Sequence, residues 1–346
     1  MSEIVVITGA SAGVGRATVR AFAKRGASIA LLARGTEGLR AAAEEVEAAG
    51  CRALPLPVDI ADPDAVERAA EQVESQLGPI DIWINVAMAT IYAPLHQITP
   101  EEYRRATEVT YLGNVYGTMA ALKRMRPRNR GTIVQVGSAL AYRAIPLQAP
   151  YCGAKFAIRG FTDSLRSELL HDRVDIHLTM VQMPALNTPQ FDWGRNKLPK
   201  RPQPVPPIFE PEIAAEAIVF ATYARRREVW VGGPTIKAII ANKIFPGLLD
   251  RYLAHDGYSG QLSSEPADPS APDNLFEPVA GDHGAHGRFD RRSTPRSGAL
   301  WASMHKESLV AGVALGGLAL LGACLLAGRD GVARAHSPGL KRRQSR

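Results

Sequence analysis

The sequence predicts an α/β protein built on a doubly wound parallel sheet of about seven strands, with helices on both faces. Short β-branched runs alternate with helix-forming stretches over most of the first 256 of the 346 residues. A glycine-rich turn follows the first run, and the composition, 46% hydrophobic and 22% charged, is that of an ordinary globular protein. Repeated β-α-β units require right-handed crossovers, which make neighbouring strands parallel.

Seven short apolar runs are predicted to form strands. The first, Ile4–Ile7, is β-branched and stops at Thr8-Gly9, which is typical of a buried strand. Stretches long enough to hold a helix separate most of the runs. The predicted strands after the first are Ser28–Ala33, Ala53–Val58, Ile80–Asn85, Thr132–Val136, Asp175–Val181 and Val229–Val231.

Helices are predicted in the stretches between these strands. The Ala/Glu-rich stretch Glu37–Ala49 has a strongly helical composition. Pro100 to about Met125 is expected to form one long helix or two joined helices. The other predicted helices run from about Val14 to Arg25, from Pro63 to Leu77, from near Pro150, and from Glu212 to about Arg226.

The composition divides the chain into four parts. Residues 1–256 carry the alternating pattern and are predicted to form one domain. Residues 257–308 are rich in Ser, Pro, Gly, Asp and Arg, which indicates a flexible linker. Residues 309–328 are twenty residues without a charge, enough for a transmembrane helix across roughly 30 Å of bilayer hydrocarbon. Residues 329–346 form a basic tail.

Residues 184–211 interrupt the alternating pattern with eight prolines. In α/β enzymes an irregular insert after a late strand often covers the site. We therefore expect this loop to shape the substrate pocket, although its sequence does not name the substrate.

The formal net charge of +7 does not indicate a nucleic-acid partner. The tail holds six basic residues and one acid, which accounts for +5 of that charge and leaves the rest of the chain close to neutral. Three scattered cysteines favour a reduced compartment over a disulfide framework, and no cluster suggests a metal site. Because no basic leader precedes the first predicted strand, we expect no signal peptide.

A glycine-rich loop, Thr8-Gly9-Ala10-Ser11-Ala12-Gly13-Val14-Gly15, joins the first predicted strand to the first predicted helix. A dinucleotide-binding loop requires this context, because glycines let the backbone approach the pyrophosphate and the helix N-terminus offers free N–H groups. A glycine turn without a ligand is the alternative. Three glycines directly after an N-terminal strand favour the dinucleotide.

The end of the second predicted strand indicates which dinucleotide binds. In NAD-dependent folds an acidic residue about 20 residues beyond the glycine loop binds the ribose 2′-hydroxyl. Here Ala33 lacks that acid and Arg34 supplies a cation. A guanidinium can hold a 2′-phosphate through two parallel hydrogen bonds, and Ser11 can add a hydroxyl. The sequence thus favours NADP(H) over NAD(H), with a solvated surface arginine as the alternative.

Tyr151 and Lys155 lie four residues apart in a predicted helix and share one face. A nearby ammonium favours the phenolate, so we expect the pKa of Tyr151 to fall from about 10 toward neutral pH. Such a tyrosine can exchange a proton with a substrate oxygen. Ser138 closes a predicted strand, and sites in α/β folds lie at the carboxyl ends of parallel strands. The three residues predict a proton-transfer site.

Taken in order, these motifs resemble the short-chain dehydrogenase/reductase family over roughly residues 3–233. The glycine loop matches the family's Thr-Gly-x3-Gly-x-Gly, while Ser138, Tyr151 and Lys155 match its Ser and Tyr-x3-Lys. The resemblance implies a Rossmann-like fold and a hydride-transfer reaction in which the cofactor supplies the hydride.

The resemblance also implies roles for single residues. Tyr151 would be the general acid in carbonyl reduction and the base in alcohol oxidation, and Lys155 would bind the nicotinamide ribose and tune that tyrosine. Ser138 would hold the substrate oxygen. Asn114 matches the family's fourth catalytic position, where it would position a water for proton relay, and Asp59 matches the aspartate near the adenine ring.

The sequence departs from the family pattern at two loops. Asn85-Val86-Ala87-Met88 replaces Asn-Asn-Ala-Gly, so that Asn85 and Ala87 fit and their neighbours do not. Pro184-Ala185 replaces Pro-Gly, which removes a position that tolerates positive φ. The residues assigned to the cofactor are Thr8, Gly9, Ser11, Gly13, Val14, Gly15, Arg34, Asp59, Asn85, Ala87, Tyr151, Lys155, Pro184 and Thr188, the last to reach the carboxamide.

These residues predict an NADP(H)-dependent oxidoreductase that acts on a carbonyl or secondary alcohol. A membrane-tethered NADP-binding sensor or scaffold without turnover is the alternative, suggested by Val86, Met88 and Ala185. The segment 309–328 predicts a membrane anchor with the catalytic domain on the cytoplasmic side, which would suit an apolar substrate. The sequence leaves open the substrate, the direction of reaction, the topology of the tail and whether the chain forms a homo-oligomer.

Overall fold

Parallel strands form a seven-stranded central sheet in the computed structural model, which describes residues 2–306. Three two-stranded sheets flank it. The strands in chain order are β1 (Ile4–Thr8), β2 (Ser28–Ala33), β3 (Ala53–Pro57), β4 (Ile82–Asn85), β5 (Ile91–Tyr92), β6 (Gly131–Ser138), β7 (Ile176–Met183), β8 (Arg195–Asn196), β9 (Lys200–Pro202), β10 (Ile208–Phe209), β11 (Glu228–Trp230), β12 (Leu262–Pro266) and β13 (Ser293–Thr294).

Helices connect these strands, and a few short 3₁₀ turns lie in the loops. The α-helices are α1 (Gly13–Ala23), α2 (Thr36–Ala48), α3 (Pro63–Gln76), α4 (Pro100–Thr107), α5 (Gly113–Arg128), α6 (Ala149–His171), α7 (Gln190–Trp193), α8 (Pro211–Tyr223), α9 (Gly233–Ile244), α10 (Pro246–Asp256) and α11 (Gly298–Met304).

The central sheet has the order β11-β7-β6-β4-β1-β2-β3, and each pair of neighbours is parallel. The predicted doubly wound sheet of seven strands is thereby confirmed. The strand order reverses between β1 and β4, where Thr8 pairs with Asn85. Connections leave the two strands in opposite directions at this point, so a crevice opens at their carboxyl ends.

The strands are buried because helices cover both faces of the sheet. Every residue of β1 and β2 is buried, which explains their continuous apolar sequences. Val6 of β1 joins a core cluster with Leu32 of β2, Trp83 of β4 and apolar residues of α3 and α5. On the other face α1 packs against α2 and α8. This packing holds the strand ends that form the crevice.

The stretch predicted as one long helix or two joined helices is two helices. Thr99 begins α4 with a capping box: its hydroxyl accepts from the backbone N–H of Glu102, whose carboxylate accepts from the N–H of Thr99 at 2.9 Å. A π-helical turn, Glu108–Leu112, joins α4 to α5. Such turns are frequent at functional sites, and Asn114 follows this one in the first turn of α5.

The proline-rich stretch 184–211 is partly ordered into short elements. It contains α7, β8, β9 and β10, and its strands pair with β5, β12 and β13 respectively. Two of those partners, β12 and β13, lie beyond residue 256, where the sequence predicted a linker.

Residues 257–300 belong to the same compact unit as the first 256 residues, so the prediction of a flexible linker is wrong over this range. Leu275 is fully buried and Phe289 is 5% exposed. The composition suggested a linker because this range contains few apolar residues. The segment is nevertheless held by a few buried apolar side chains and by hydrogen bonds from side chains such as Arg34 to its backbone carbonyls. We call residues 273–289 the strap.

The second compact unit is residues 301–346, of which the structure describes 301–306. Across residues 2–306, no helix has the length and apolar character needed to cross a bilayer. The predicted transmembrane helix, 309–328, and the basic tail, 329–346, lie outside the described residues.

Candidate active site

A cavity of about 610 Å³ lies at the carboxyl ends of β1, β4 and β6, where the strand order reverses. This is where open α/β sheets bind ligands. It brings together most of the predicted cofactor and catalytic residues: Gly9, Ser11, Gly13, Val14, Gly15, Arg34, Asp59, Ala87, Ser138, Tyr151, Lys155, Pro184 and Thr188.

The glycine loop requires glycine at specific positions. Gly9 has a φ of 68°, and a Cβ there would lie 2.8 Å from the Cα of Ala87. A Cβ at Gly15 would lie 2.0 Å from the carbonyl oxygen of Gly9, so the loop and α1 can approach only without side chains. The loop leads directly into α1, whose N-terminus faces the crevice with its positive dipole end.

Thr8 and Asn85 hold the cavity wall through bonds to other protein groups. The Thr8 hydroxyl accepts from the backbone N–H groups of Val86 at 3.0 Å and Ala87 at 3.2 Å. The Asn85 amide donates to Gln135 Oε1 at 2.9 Å and accepts from the Trp83 indole N–H at 2.9 Å. Thr8 and Asn85 were predicted to bind the cofactor. In the structure their side chains bond to protein groups and hold the strand ends beside the cavity.

Arg34 lies at the cavity but is not a solvated surface arginine. Its guanidinium donates to the backbone carbonyls of three strap residues: to Phe276 at 2.7 Å, to Leu275 at 3.4 Å, and to Asn274. Burial lowers the pKa of Arg34, and the nearby Arg105 lowers it further. The guanidinium therefore already has neutral partners at the position where a 2′-phosphate was predicted to bind.

Asp59, the predicted adenine-side residue, forms an ion pair with Arg105. The Arg105 Nη2 to Asp59 Oδ2 distance is 2.5 Å, and the other carboxylate oxygen accepts from the N–H of Ala61 at 3.0 Å. Arg105 also donates to the carbonyl of Leu275 at 3.1 Å. Sequence reasoning missed Arg105, because no pattern in the sequence of α4 indicates that this side chain reaches Asp59 beyond the end of β3.

Ser138 and Tyr151 face each other across the junction between β6 and α6. Ser138 is the last residue of β6, and its hydroxyl accepts from the N–H of Leu140 at 3.1 Å. Tyr151 lies in the first turn of α6. Burial raises the pKa of Tyr151 well above its ordinary value, and the hydrogen bond with Ser138 offsets only part of that rise. The phenol is therefore a neutral O–H donor at neutral pH.

Lys155 is buried, 2% exposed, one turn after Tyr151. Its Nζ donates to the carbonyl of Val136 at 2.6 Å and lies 5.5 Å from the centroid of the Tyr151 ring. Burial lowers the pKa of Lys155 to about 8. The predicted lowering of the tyrosine pKa by this ammonium does not occur, because the ammonium is bonded to the backbone and burial of the phenol dominates.

Asn114 has an unpaired polar atom. The residue is 5% exposed, and its buried Oδ1 makes no hydrogen bond within residues 2–306. Its backbone carbonyl accepts from Thr118 Oγ1 at 2.7 Å, and Thr118 accepts in turn from Asn85 Nδ2 at 3.2 Å. A buried acceptor without a protein partner fits a water or a ligand group.

The residues that depart from the family pattern lie at the cavity. Val86, Met88 and Ala185 line it together with Ala87. Their apolar side chains leave the glycine loop and the Ser138–Tyr151–Lys155 cluster in place. The departures therefore change the apolar wall of the cavity, whereas the side chains of Ser138, Tyr151 and Lys155 still line it.

Part of the remaining wall comes from the proline-rich loop 184–211, which was expected to shape the pocket. Sequence reasoning missed the rest, which comes from α9 and α10 and from the turn that holds Gln261. Gln261 is 1% exposed, accepts from Gln148 Nε2 at 2.7 Å, and donates to the carbonyl of Pro146 at 2.9 Å. The other residues of this part of the wall are Gln203, Pro204, Val205, Pro206, Pro234, Thr235, Ala238, Tyr252, Leu253, Asp256, Gly257, Ser259 and Gly260.

The donor set of the cavity fits a dinucleotide. A backbone cradle that Cβ atoms would fill lies at Gly9 and Gly15. Arg34 can face a phosphate, and Ser138, Tyr151 and Lys155 provide hydroxyl and ammonium groups for sugar or substrate oxygens. The cavity is thus suited to a phosphorylated ligand and a second, less polar molecule.

The chain belongs to the short chain dehydrogenase family, whose family model matches residues 3–195. This agrees with the sheet order, the glycine loop and the Ser138–Tyr151–Lys155 cluster, and it makes the protein an oxidoreductase of that family.

Individual relatives point the same way. The chain is 30% identical over 318 residues to an uncharacterized oxidoreductase, YxnA, of Bacillus subtilis, covering 91% of this chain and 88% of that one. It is 38% identical over 167 residues to the 17-beta-hydroxysteroid dehydrogenase 13 of Homo sapiens, covering 48% and 56%. A metagenomic short-chain oxidoreductase solved in complex with NADP has a TM-score of 0.57 and 26% identity, with 67% of this chain and 97% of that chain covered.

Proposed function

We propose that this oxidoreductase uses NADP(H) to reduce a carbonyl compound, or to oxidise the corresponding secondary alcohol, and that the substrate is largely apolar. The observation that carries the proposal is one cavity lined both by the glycine loop with Arg34 and by Ser138, Tyr151 and Lys155. The solved relative that binds NADP supports the choice of cofactor.

The protein residues divide the proton chemistry of carbonyl reduction among them. When bound, the dinucleotide supplies the hydride that adds to the carbonyl carbon. Ser138 donates a hydrogen bond that holds the carbonyl oxygen, and Tyr151 donates its phenolic proton to that oxygen as charge develops on it. Lys155 is cationic below about pH 8 and stabilises the tyrosinate that remains. Asn114 holds a water through its unpaired Oδ1, and the water returns a proton from solvent.

Removal of the phenolic hydroxyl tests the proposed reaction. We expect Tyr151→Phe to lower kcat at least about 100-fold on every ketone, aldehyde or alcohol that the wild-type protein turns over, because general acid catalysis contributes about 10²–10⁴-fold. The measurement is NADPH oxidation or NADP⁺ reduction over a substrate panel. Tyr116→Phe, a change outside the cavity, is the matched control and should retain activity.

Two outcomes would contradict the proposal. Turnover by Tyr151→Phe at the wild-type rate would reject the role of the tyrosine. NADPH binding without turnover of any panel member would favour the sensor or scaffold alternative.

Positive charge near the predicted adenosine end of the cavity supports a preference for NADP(H) over NAD(H). Arg34 and Arg105 place two guanidinium groups there, and Ala33 offers no carboxylate to a ribose hydroxyl. We expect NADPH to bind at least about tenfold more tightly than NADH, which corresponds to about 1.4 kcal/mol. Isothermal titration with both dinucleotides measures the ratio. An unchanged ratio in Arg34→Ala would show that this residue does not set it.

Helices α9 and α10, which follow each other directly in the chain and which we call the apolar hairpin, line the cavity and support an apolar substrate. α10 has no fully buried residue, and Tyr252 and Leu253 of this helix line the cavity. Large apolar side chains are exposed here, among them Phe245, which precedes α10, at 59% and Leu248 of α10 at 64%. An apolar surface beside the cavity suits a substrate that arrives from an apolar phase.

We propose further that the chain is anchored in a membrane, with the catalytic domain on the cytoplasmic side. The support is the uncharged sequence of residues 309–328 and the apolar hairpin. Fractionation after an alkaline carbonate wash tests the anchor. Full-length protein should stay in the membrane pellet, and full-length protein in the supernatant would reject it.

A further inference from the structure

The strap, residues 273–289, runs along the dinucleotide cavity. It begins near Arg34, passes the glycine loop and ends near Thr188. Its residues fall into two sets. One set lines the cavity: Asn274, Pro278, Val279, Gly281 and His283. The other set is fixed to the domain by side chains or backbone groups: Asp273, Leu275, Asp282, Gly284, Ala285, His286, Gly287 and Phe289.

We propose that the strap is the movable second wall of the dinucleotide site: it closes over bound NADP(H), orients Arg34 toward the 2′-phosphate and controls cofactor exchange. The inference rests on the proposed function, because it takes the dinucleotide to be the ligand of the cavity. The strap lies outside the family match, which ends at residue 195.

At the adenosine end, strap carbonyls hold two arginines of the domain. Arg34 donates through Nη1 and Nη2 to Asn274, Leu275 and Phe276, and Arg105 donates to Leu275 at 3.1 Å. The hydrogen bonds that the described residues show for Arg34 use Nη1 and Nη2, so its Nε–H keeps donor capacity for a phosphate while the position of the guanidinium is fixed. The strap thereby orients the residue that is proposed to select NADP(H).

Two further contacts fix the start of the strap. Asp273 accepts from Arg195 Nε at 2.9 Å and, with its other oxygen, from the N–H of Leu275 at 3.0 Å. The side chain of Leu275 is fully buried in the main core cluster. Asp273 thus holds the backbone whose carbonyls bind Arg34.

In its middle the strap lies directly on the glycine loop. The carbonyl of Gly284 accepts from the N–H of Gly13 at 2.9 Å. Asp282 accepts from Arg16 Nη1 at 3.1 Å, although Arg16 is 1% exposed and already pairs with Glu45. These contacts join the strap to the first turn of α1, the part of the fold suited to bind the pyrophosphate.

At the catalytic end the strap passes Thr188, which also lines the cavity. Gly287 approaches so closely that a Cβ there would lie 2.5 Å from the carbonyl oxygen of Thr188. Phe289 then enters a small core cluster with Tyr92 and Phe191, and its N–H donates to Asn187 Oδ1 at 3.0 Å. The far end of the strap is therefore firmly packed.

The character of these contacts indicates a wall that can open. Leu275 and Phe289 anchor the two ends, and Ala285 is buried in a small cluster with Ala17 and Ala215. Residues 277–283 are instead held by hydrogen bonds and by an ion pair in which the side chain of Asp282 is 42% exposed. Such contacts break at low cost. Gly281 and Gly284 have φ values of 97° and 60°, which give the middle backbone freedom that other residues lack.

The test loosens the strap without changing a residue that lines the dinucleotide cavity. In the full-length protein, the double variant Asp273→Ala/Asp282→Ala removes one fastening at the start and one in the middle. Asp268→Ala is the matched control, because the exposed side chain of this aspartate bonds only to Ser270 within the described residues. Stopped-flow fluorescence measures the rate at which NADPH is displaced, and hydrogen exchange measures protection of the strap amides with and without NADPH.

We expect NADPH to protect residues 277–284 in the wild-type protein and to dissociate at least about tenfold faster from the double variant than from the wild type and Asp268→Ala. The affinity ratio of NADPH to NADH should also fall in the double variant, because Arg34 is less well oriented. If the double variant does not fold, Glu37→Ala removes the acceptor of the Gly281 N–H and takes its place.

The possible failures are distinguishable. Equal dissociation rates, with no NADPH-dependent protection of the strap, would reject the strap proposal while Tyr151-dependent turnover left the proposed function intact. Absence of NADPH binding to the wild-type protein in both assays would reject the cofactor and the strap proposal together.

Discussion

The protonation of Tyr151 and Lys155 follows from burial. Sequence spacing placed the two on one face of α6, as the structure shows, and suggested an ammonium beside a phenolate. The buried phenol instead has a raised pKa, and Lys155 has a pKa of about 8 because its ammonium is desolvated. Spacing reveals which residues meet, whereas desolvation depends on every residue packed around them and cannot be read from a short motif.

The lowered pKa of Lys155 predicts opposite responses of activity and stability to alkaline pH. Carbonyl reduction should lose kcat/KM as pH rises above about 8, because Lys155 loses its charge. The unfolded chain, with the ordinary lysine value of 10.5, binds more protons than the folded one between about 8 and 10.5. The free-energy contribution of this residue to unfolding therefore rises with pH across that window.

Rate profiles and denaturant unfolding at several pH values check both responses. Lys155→Met should be weakly active at every pH and should lack the gain in stability between about pH 8 and 10.5 that is assigned to Lys155. A parallel loss of wild-type activity and stability above pH 8 would indicate general alkaline unfolding and contradict this account.

A single added Cβ atom at Gly15 tests whether the glycine loop must be free of side chains to bind the dinucleotide. Gly15→Ala places a Cβ 2.0 Å from the carbonyl oxygen of Gly9, and that oxygen belongs to the backbone and cannot rotate away. We expect a loss of about 2–4 kcal/mol in the free energy of unfolding and a loss of NADPH binding. Gly160→Ala in α6 is the control, since a Cβ there meets no atom within 4 Å. Urea denaturation and NADPH titration measure both, and wild-type binding by Gly15→Ala would contradict the cradle.

Among the elements, those with a regular pattern could be predicted and those held by distant contacts could not. The run Thr132–Val136 indicated the strand that extends over Gly131–Ser138, and the motifs at strand ends located the cavity. α9 and α10 escaped notice because little of their surface is buried, which leaves no apolar periodicity. The strap was taken for a linker because its partners, such as Arg34 and Arg16, lie more than 230 residues away in sequence.

His286 predicts that one fastening of the strap depends on pH. Its two ring nitrogens lie 3.0 Å from Glu212 of α8 and 3.1 Å from Asp290. Burial lowers its pKa, but the hydrogen bonds to these carboxylates outweigh that effect and the pKa is raised. The stabilisation is complete below the unfolded value of about 6.5 and is lost as pH rises through the raised folded value.

Hydrogen exchange at pH 6 and pH 8, corrected for intrinsic rates, measures this fastening. Amides at 284–290 should be more protected at pH 6, by no more than about 1 kcal/mol because the pair is partly exposed. His286→Gln should remove the difference between the two pH values. A pH difference that persists in this variant would contradict the role of His286.

On the scale of the whole molecule, the strap makes the first and last parts of the catalytic unit depend on each other. Arg16 in α1 and Asp282 in the strap are 266 residues apart and bonded at 3.1 Å. This contact closes a long loop, and the entropy cost of closure grows slowly with loop length. The dinucleotide site includes strap residues up to His283, although the motifs that predicted it all lie before residue 189.

This interdependence predicts where the chain can be shortened. A chain of residues 1–306 keeps all of the first compact unit and should fold and bind NADPH with the affinity of the full-length protein. A chain of residues 1–256, the boundary that composition suggested, loses the buried side chains of Leu275 and Phe289. Burial of each contributes about 1.5–3 kcal/mol, so the loss is comparable with a typical domain stability of about 5–15 kcal/mol. Phe191 would also lose its contact with the ring of Phe289, and Arg34 would lose the strap carbonyls that bind it. Circular dichroism melting and NADPH titration of the two chains decide the matter, and equal stability and affinity would show that the strap is dispensable for both the fold and the dinucleotide site.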